Sequence, residues 1–118
     1  MEHMTKFLSN PSNVLLAAEV GTEIIGFLSA HSLDSLEHEA AAMFIYEVEV
    51  DAGHRRMGAG TALINHIQEI ANARQMFEMF VLTNHSNTGA VAFYRATGGQ
   101  VEEGDELMFV YPGTGIRG

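Results

Sequence analysis

The chain has 118 residues, 47% of them apolar, which suffices for one domain around one core and is too little for two. Six Lys and Arg against fifteen Asp and Glu give a formal charge of −9, which argues against a general nucleic-acid surface and suits attraction of a cationic small molecule. No cysteine is present, so disulfides, thiolate metal sites and a cysteine nucleophile are excluded, and no apolar run is long enough to span a membrane.

Met4 to Leu8 reads as the last turn of a helix, stopped by the turn cluster Asn10-Pro11-Ser12-Asn13. Met1 to Phe7 has neither the basic start nor the apolar core of a signal peptide, so a cytoplasmic location is the expectation. Val14 to Val20 has a strand pattern, Gly21-Thr22 a tight turn, and Glu23 to Ser32 a second strand pattern; together they predict an antiparallel hairpin. Leu33 to Ala42 is acidic and irregular and reads as a loop.

A central strand is predicted over about Met43 to Val50, carrying Glu47 and Glu49 among apolar neighbours. It runs through a glycine-bearing turn into an amphipathic helix over about Gly58 to Arg74. Leu63, Ile64, Ile67, Ile70 and Ala71 lie on one side of that helix, and Asn65, Gln68, Glu69 and Asn72 on the other. Phe77 to Thr83 reads as a buried strand, and Asn84 to Asn87 leads into a helix that ends near Thr97 and is stopped by Gly98-Gly99. Gln100 to Glu103, a Gly104-Asp105 turn and Leu107 to Tyr111 read as a closing hairpin, with Pro112 to Gly118 a flexible tail. Strands alternating with two helices, framed by hairpins, predict a single α/β domain over residues 1–118 with a mixed sheet.

The turn before the long helix has a chemical use. The first turn of a helix presents N–H groups with no intrahelical partner, and Gly58 and Gly60 remove Cβ atoms that would keep a phosphate from them. Arg55 and Arg56 add positive charge, so a pyrophosphate is the natural guest. The spacing is not the three-glycine dinucleotide fingerprint, and the Lys-Ser/Thr of a P-loop is absent.

Arg55-x-x-Gly58-x-Gly60 resembles the R/Q-x-x-G-x-G/A signature of the GNAT superfamily of acyl-CoA N-acyltransferases. Asn87-x-x-Ala90-x-x-Phe93-Tyr94-x-x-x-Gly98 resembles that superfamily's second signature, in the same order along the chain. The resemblance covers roughly Met4 to Tyr111. It implies a GNAT-like, mostly antiparallel sheet whose central strand and its successor run parallel and splay apart, with two main helices. It also implies acetyl-CoA as cosubstrate, contacted by Val48, Val50, Arg55, Arg56, Met57, Gly58, Ala59, Gly60, Thr61, Asn87, Ala90 and Phe93. Within the superfamily the chain looks most like the aminoglycoside 3-N-acetyltransferase branch, through Ile45 to Val50, Gly53 to Arg56, Thr61 to Asn65 and, less closely, Ser86 to Tyr94. The family's leading strand and first helices have no counterpart, and residues 1–13 read as the remnant of that region. Sheet edge and helix face left open by this are expected to be covered in a homodimer.

N-acetyl transfer needs an amine that has lost its proton, a polarised carbonyl and a thiolate that can leave. Glu47 is the first choice for the base, directly or through a water, since partial burial is expected to bring its proton affinity toward working pH. It also matches an acidic position in the aminoglycoside branch. Glu49 is the alternative on the same face by strand alternation, and the pair favours a cationic acceptor. The resemblance makes Tyr94 the acid that protonates the departing sulfur and gives Asn87 a coenzyme contact beside its role as N-cap. A backbone N–H near Glu49 or Val50, freed by a bulge there, is the expected carbonyl donor.

The histidines have no metal-ligand spacing, so no metal is expected; His85 is an alternative acid or base. Tyr46 reads chiefly as core packing and secondarily as part of the acceptor wall. The expected function is an N-acetyltransferase moving an acetyl group to a primary amine of a small cationic acceptor by direct attack in a ternary complex. A non-catalytic coenzyme A-binding or subunit-assembly module, and a fold-only protein, are the competing readings.

Overall fold

The computed structural model describes residues 8–36, 39–55, 57–102, 107–113 and 115. Strands β1 (Asn13–Val20), β2 (Glu23–Leu33) and β3 (Ala42–Val50) lead through a short 3₁₀ turn, Ala52–His54, into helix α1 (Ala59–Ala73). Strand β4 (Glu78–Val81) and helix α2 (Thr88–Ala96) follow. The sheet order is β1-β2-β3-β4, antiparallel for the first two pairs and parallel for β3 with β4. This is the mixed α/β sheet with two helices that the motifs imply. Among the described residues no helix is long and apolar enough to cross a membrane.

Periodicity explains the core. One face of β1 to β3 contributes Val14, Leu28, Ala30, Met43 and Ile45, and the apolar side of α1 contributes Leu63, Ile64, Ile67 and Ala71. Alternation in the strands and a 3.6-residue repeat in the helix thus meet in one layer. Leu28, Met43 and Ile67 are the largest side chains sealed from solvent. Ile67→Ala is expected to cost about 3 kcal/mol, the range for a cavity of that size in a packed core, read from the urea midpoint at unchanged slope.

One irregularity reverses the sidedness of β3. Ser29 pairs with Glu47 but Ala30 pairs with Ile45, so Tyr46 is an extra residue in the strand. Before the bulge the odd-numbered Met43 and Ile45 face α1; after it, Val48 and Val50 pack against the core instead. Had the pairing stayed regular, Glu47 and Glu49 would point into the core, because a one-residue slip moves every later side chain to the other face. The bulge was expected near Glu49 or Val50; it lies earlier, where it turns both carboxylates outward.

The other departures concern strands that need distant partners. The β3–β4 ladder joins only Ala42–Ile45 to Glu78–Val81, so β4 is shorter than the expected Phe77–Thr83, and residues 46–50 of β3 have no ladder partner on that side. The expected closing hairpin does not form: Gln100–Glu102 and Leu107–Gly113 are not strands, and the Gly104-Asp105 turn lies outside the described residues. Strand patterning cannot make a strand unless its N–H and C=O groups find a ladder. Leu107, Met108, Phe109, Val110 and Tyr111 are left exposed in a row. At the other end most of the expected helical turn, Met4 to Phe7, lies outside the described residues, while the turn after it holds, with Asn10 Oδ1 accepting from the Ser12 N–H at 2.9 Å.

Candidate active site

The connection from β3 to α1 is anchored at its start, where the Asp51 N–H donates to the Ile25 carbonyl at 2.8 Å. The exposed Arg55 donates through Nε to the Val50 carbonyl at 3.3 Å, which ties its guanidinium to the turn; Arg56 lies outside the described residues. Gly58 is the N-cap of α1 at φ +83°, a left-handed conformation that a residue with a Cβ adopts only under strain. No side chain caps the helix, and its first turn holds no acidic residue. The first bond of the turn runs from the Ala62 N–H to the Gly58 carbonyl at 2.9 Å, which leaves the N–H groups of Ala59, Gly60 and Thr61 without intrahelical partners. Aligned donors, a helix dipole and a nearby cation suit an anion. Ala59 is half-buried, while Met57 and Thr61 flank the turn in solvent.

Gly60 serves a second purpose that spacing did not reveal. A Cβ built there would stand 3.1 Å from two ring atoms of Phe93 on α2. The bare Cα is what lets that ring close on the start of α1, so the two sequence motifs are joined by direct contact.

Helix α2 begins as predicted, with Asn87 Oδ1 accepting from the Ala90 N–H at 3.2 Å. It ends at Ala96, just before Gly98 turns left-handed at φ +100°, with the Gly99 N–H on the Tyr94 carbonyl at 2.8 Å and the Thr97 hydroxyl donating to the Phe93 and Tyr94 carbonyls at 3.1 Å each. These bonds hold the turn that carries Phe93 and Tyr94, whose rings lie 5.3 Å apart and pack against the core. Burial pushes the Tyr94 phenol above its ordinary value. The folded chain therefore keeps this proton at a pH where the unfolded chain has lost it, so stability falls as pH rises past about 10. Tyr94→Phe is expected to flatten part of that alkaline loss, measured as the urea midpoint at about pH 9 and about pH 11.

The carboxylates lie on the other face of the sheet. Glu47 and Glu49 stand opposite Ser29 and Phe27 of β2, and both are exposed. The partial burial expected for Glu47 is absent because the bulge turns it away from the core. Its carboxylate Oε1 instead accepts a bond from the Ser29 hydroxyl at 3.2 Å. Tyr46 is 63% exposed, so it packs on the surface and not in the core as expected. Its ring meets His31 and Phe44 edge-on at 5.7 and 5.8 Å, and Phe44 stacks on Phe80 at 4.8 Å. His31 Nδ1 is held by Asn13 Oδ1 at 2.6 Å. This aromatic group, gathered from three strands, was illegible in the sequence, since only strand register brings its members together.

Tyr94 thus packs on the α1 side of the sheet and the glutamates face away from it. The stretch common to both sides is residues 46–50, where β3 continues without β4; Val48 and Val50 send their side chains to the core and leave their backbone along that unpaired border. His85, the alternative acid or base, is exposed in the β4–α2 connection.

Residues 1–98 match the model of the acetyltransferase (GNAT) family. An aminoglycoside acetyltransferase from an uncultured soil metagenomic sample, crystallised in complex with sisomicin, superposes with a TM-score of 0.86 at 27% identity, over 94% of this chain and 72% of that one. A second aminoglycoside acetyltransferase from such a sample gives a TM-score of 0.82 at 32% identity, over 96% of this chain and 74% of that one. Human N-acetyltransferase 8 is 25% identical over 99 residues, which are 83% of this chain and 44% of that protein, so the chain spans less than half the length of this relative.

Proposed function

The chain belongs to the acetyltransferase (GNAT) family, and on that premise we propose that it moves the acetyl group of acetyl-CoA to a primary amine of a small cationic acceptor, by direct attack in a ternary complex. The observation that supports this reading is that the stretch of β3 carrying the two outward glutamates has no β4 partner and runs straight into the uncapped start of α1, whose Gly60 meets Phe93 beside Tyr94.

Each residue then has a task. The N–H groups of Ala59, Gly60 and Thr61, with Met57 and Gly58 shaping the turn and Arg55 beside it, would hold the coenzyme's pyrophosphate, and Arg56, next in sequence, adds a second positive charge. The backbone of Val48 and Val50 would meet the pantetheine arm, with Asn87, Ala90 and Phe93 bordering it from α2. When bound, the coenzyme supplies an activated acyl group. Glu47, seconded by Glu49, takes the proton of the acceptor's ammonium, directly or through one water. Tyr94, a phenol that carries its proton at neutral pH and packs against the core, gives that proton to the departing sulfur. Tyr46 with His31 and Phe44 would wall the acceptor, and the acidity of the chain as a whole draws in a cation. The aminoglycoside acetyltransferases among its structural relatives support an amine acceptor, and use of acetyl-CoA fits a cytoplasmic location.

The test is thiol release over a panel of polyamines, aminoglycosides, amino acids and peptides. Release with at least one cationic amine is expected. Saturable acetyl-CoA binding without release from any of them would instead mark a non-catalytic coenzyme A-binding module.

A homodimer completes the reading. The exposed run Leu107 to Tyr111 and the outer edge of β4, which has no strand beside it among the described residues, both call for cover. Light scattering at micromolar concentration is expected to give twice the chain mass, and a monomer would count against it.

A further inference from the structure

We infer that Ser29 is a positioning residue: its hydroxyl holds the Glu47 carboxylate in the orientation that takes the proton of the acceptor ammonium, and thereby selects Glu47 over Glu49 as the base. The inference rests on the proposed acetyltransferase reading and deepens it at one atom.

Three observations carry it. Ser29 is 5% exposed and is the one buried polar side chain among the described residues. It sits between Leu28 and Ala30, both fully buried in the core, where a hydroxyl without a partner would destabilise the fold. Its hydroxyl donates to Glu47 Oε1 at 3.2 Å. The bulge makes this pairing: with regular register from Ala30 and Ile45, Ser29 would face Tyr46, and the extra residue brings Glu47 opposite it instead. Glu49 stands across from Phe27, which offers no donor, so the two carboxylates on this face are not equivalent.

An exposed glutamate has three rotatable bonds and samples many rotamers. Binding one oxygen to a buried, strand-fixed hydroxyl removes most of that freedom and leaves Oε2 to face the acceptor. The first proton passes from the acceptor ammonium to Oε2, the freed nitrogen lone pair attacks the thioester carbonyl carbon, the C–S bond breaks as the sulfur takes the Tyr94 proton, and the second proton shed by the nitrogen as it becomes an amide restores the Tyr94 phenol through solvent. Ser29 keeps its own proton throughout.

The experiment is a double-mutant cycle in the full chain, with an amine that wild type acetylates: S29A, S29T, E47Q and S29A/E47Q, each checked for fold by thermal melting. S29A is expected to lower kcat about tenfold with KM for acetyl-CoA unchanged, and S29T, which restores the hydroxyl in a strand-compatible residue, to recover most of the rate. In the E47Q background S29A should add no further loss, because Ser29 acts only through Glu47. A wild-type rate for S29A beside a slowed E47Q overturns the Ser29 role alone, as does an S29A effect of equal size with and without Glu47. A wild-type rate for E47Q, or no turnover with any amine, overturns the acetyltransferase reading or its base and the Ser29 role with it.

Discussion

Tyr94→Phe is expected to lower kcat by about a hundredfold or more, the usual range for loss of a positioned general acid, while acetyl-CoA affinity stays within about twofold. The substitution removes one oxygen and keeps the ring. That ring packs against the core and lies 5.3 Å from Phe93, so its apolar contacts survive the change. The helix end that carries it is held by backbone and Thr97 bonds that do not involve the phenol. What disappears is a phenol hydroxyl, protonated at neutral pH, the state a donor to a departing thiolate requires. Steady-state thiol release separates kcat from KM, and calorimetric titration with acetyl-CoA reports affinity independently. An unchanged turnover would take Tyr94 out of the chemistry and leave it a packing residue.

Gly60→Val is expected to weaken acetyl-CoA binding by at least about a hundredfold and to destabilise the fold by about 1–3 kcal/mol, as overpacking does elsewhere. The first added carbon already stands 3.1 Å from the Phe93 ring, and the two methyl groups beyond it have to displace that ring. Moving Phe93 shifts α2 away from the start of α1, which separates the N–H groups of the first turn from the Asn87 to Tyr94 side of the site. The compensating change is specific: Phe93→Leu in the Gly60→Ala background should recover much of the binding, since a smaller side chain yields the space one methyl needs. Gly58 makes a useful contrast, because a Cβ there meets nothing within 4 Å and its cost is the left-handed backbone alone. Calorimetry reads both effects. Wild-type affinity in Gly60→Val would mean that contact between the two motifs does not shape the coenzyme site.

Much of this molecule was legible in residue order because much of it is local. The β1–β2 hairpin follows from two strand patterns around Gly21-Thr22, and α1 buries Leu63, Ile64, Ile67 and Ala71 as its 3.6-residue repeat requires. Asn87 caps α2 through a bond reaching only three residues along the chain. Such features depend on neighbours within a few positions, and side-chain chemistry states them directly. The placement of Glu47 and Glu49 on one face was also readable, because two residues with one between them share a face wherever the strand is regular.

What lay beyond the sequence depends on a partner far along the chain. Which face the glutamates take is decided by the Tyr46 bulge, and a bulge is defined only by the strand across from it. The Gly60–Phe93 contact joins residues 33 positions apart, and the aromatic group of His31, Phe44, Tyr46 and Phe80 exists only through register across β2, β3 and β4. Leu107 to Tyr111 shows the same limit from the other side, as strand-like patterning without a ladder to join. Residue order by itself determined the elements, their buried faces and the family signatures. Register and helix contact, which obey long-range packing and backbone pairing and not local preference, decided where β4 leaves β3, which way the carboxylates face and which hydroxyl holds one of them.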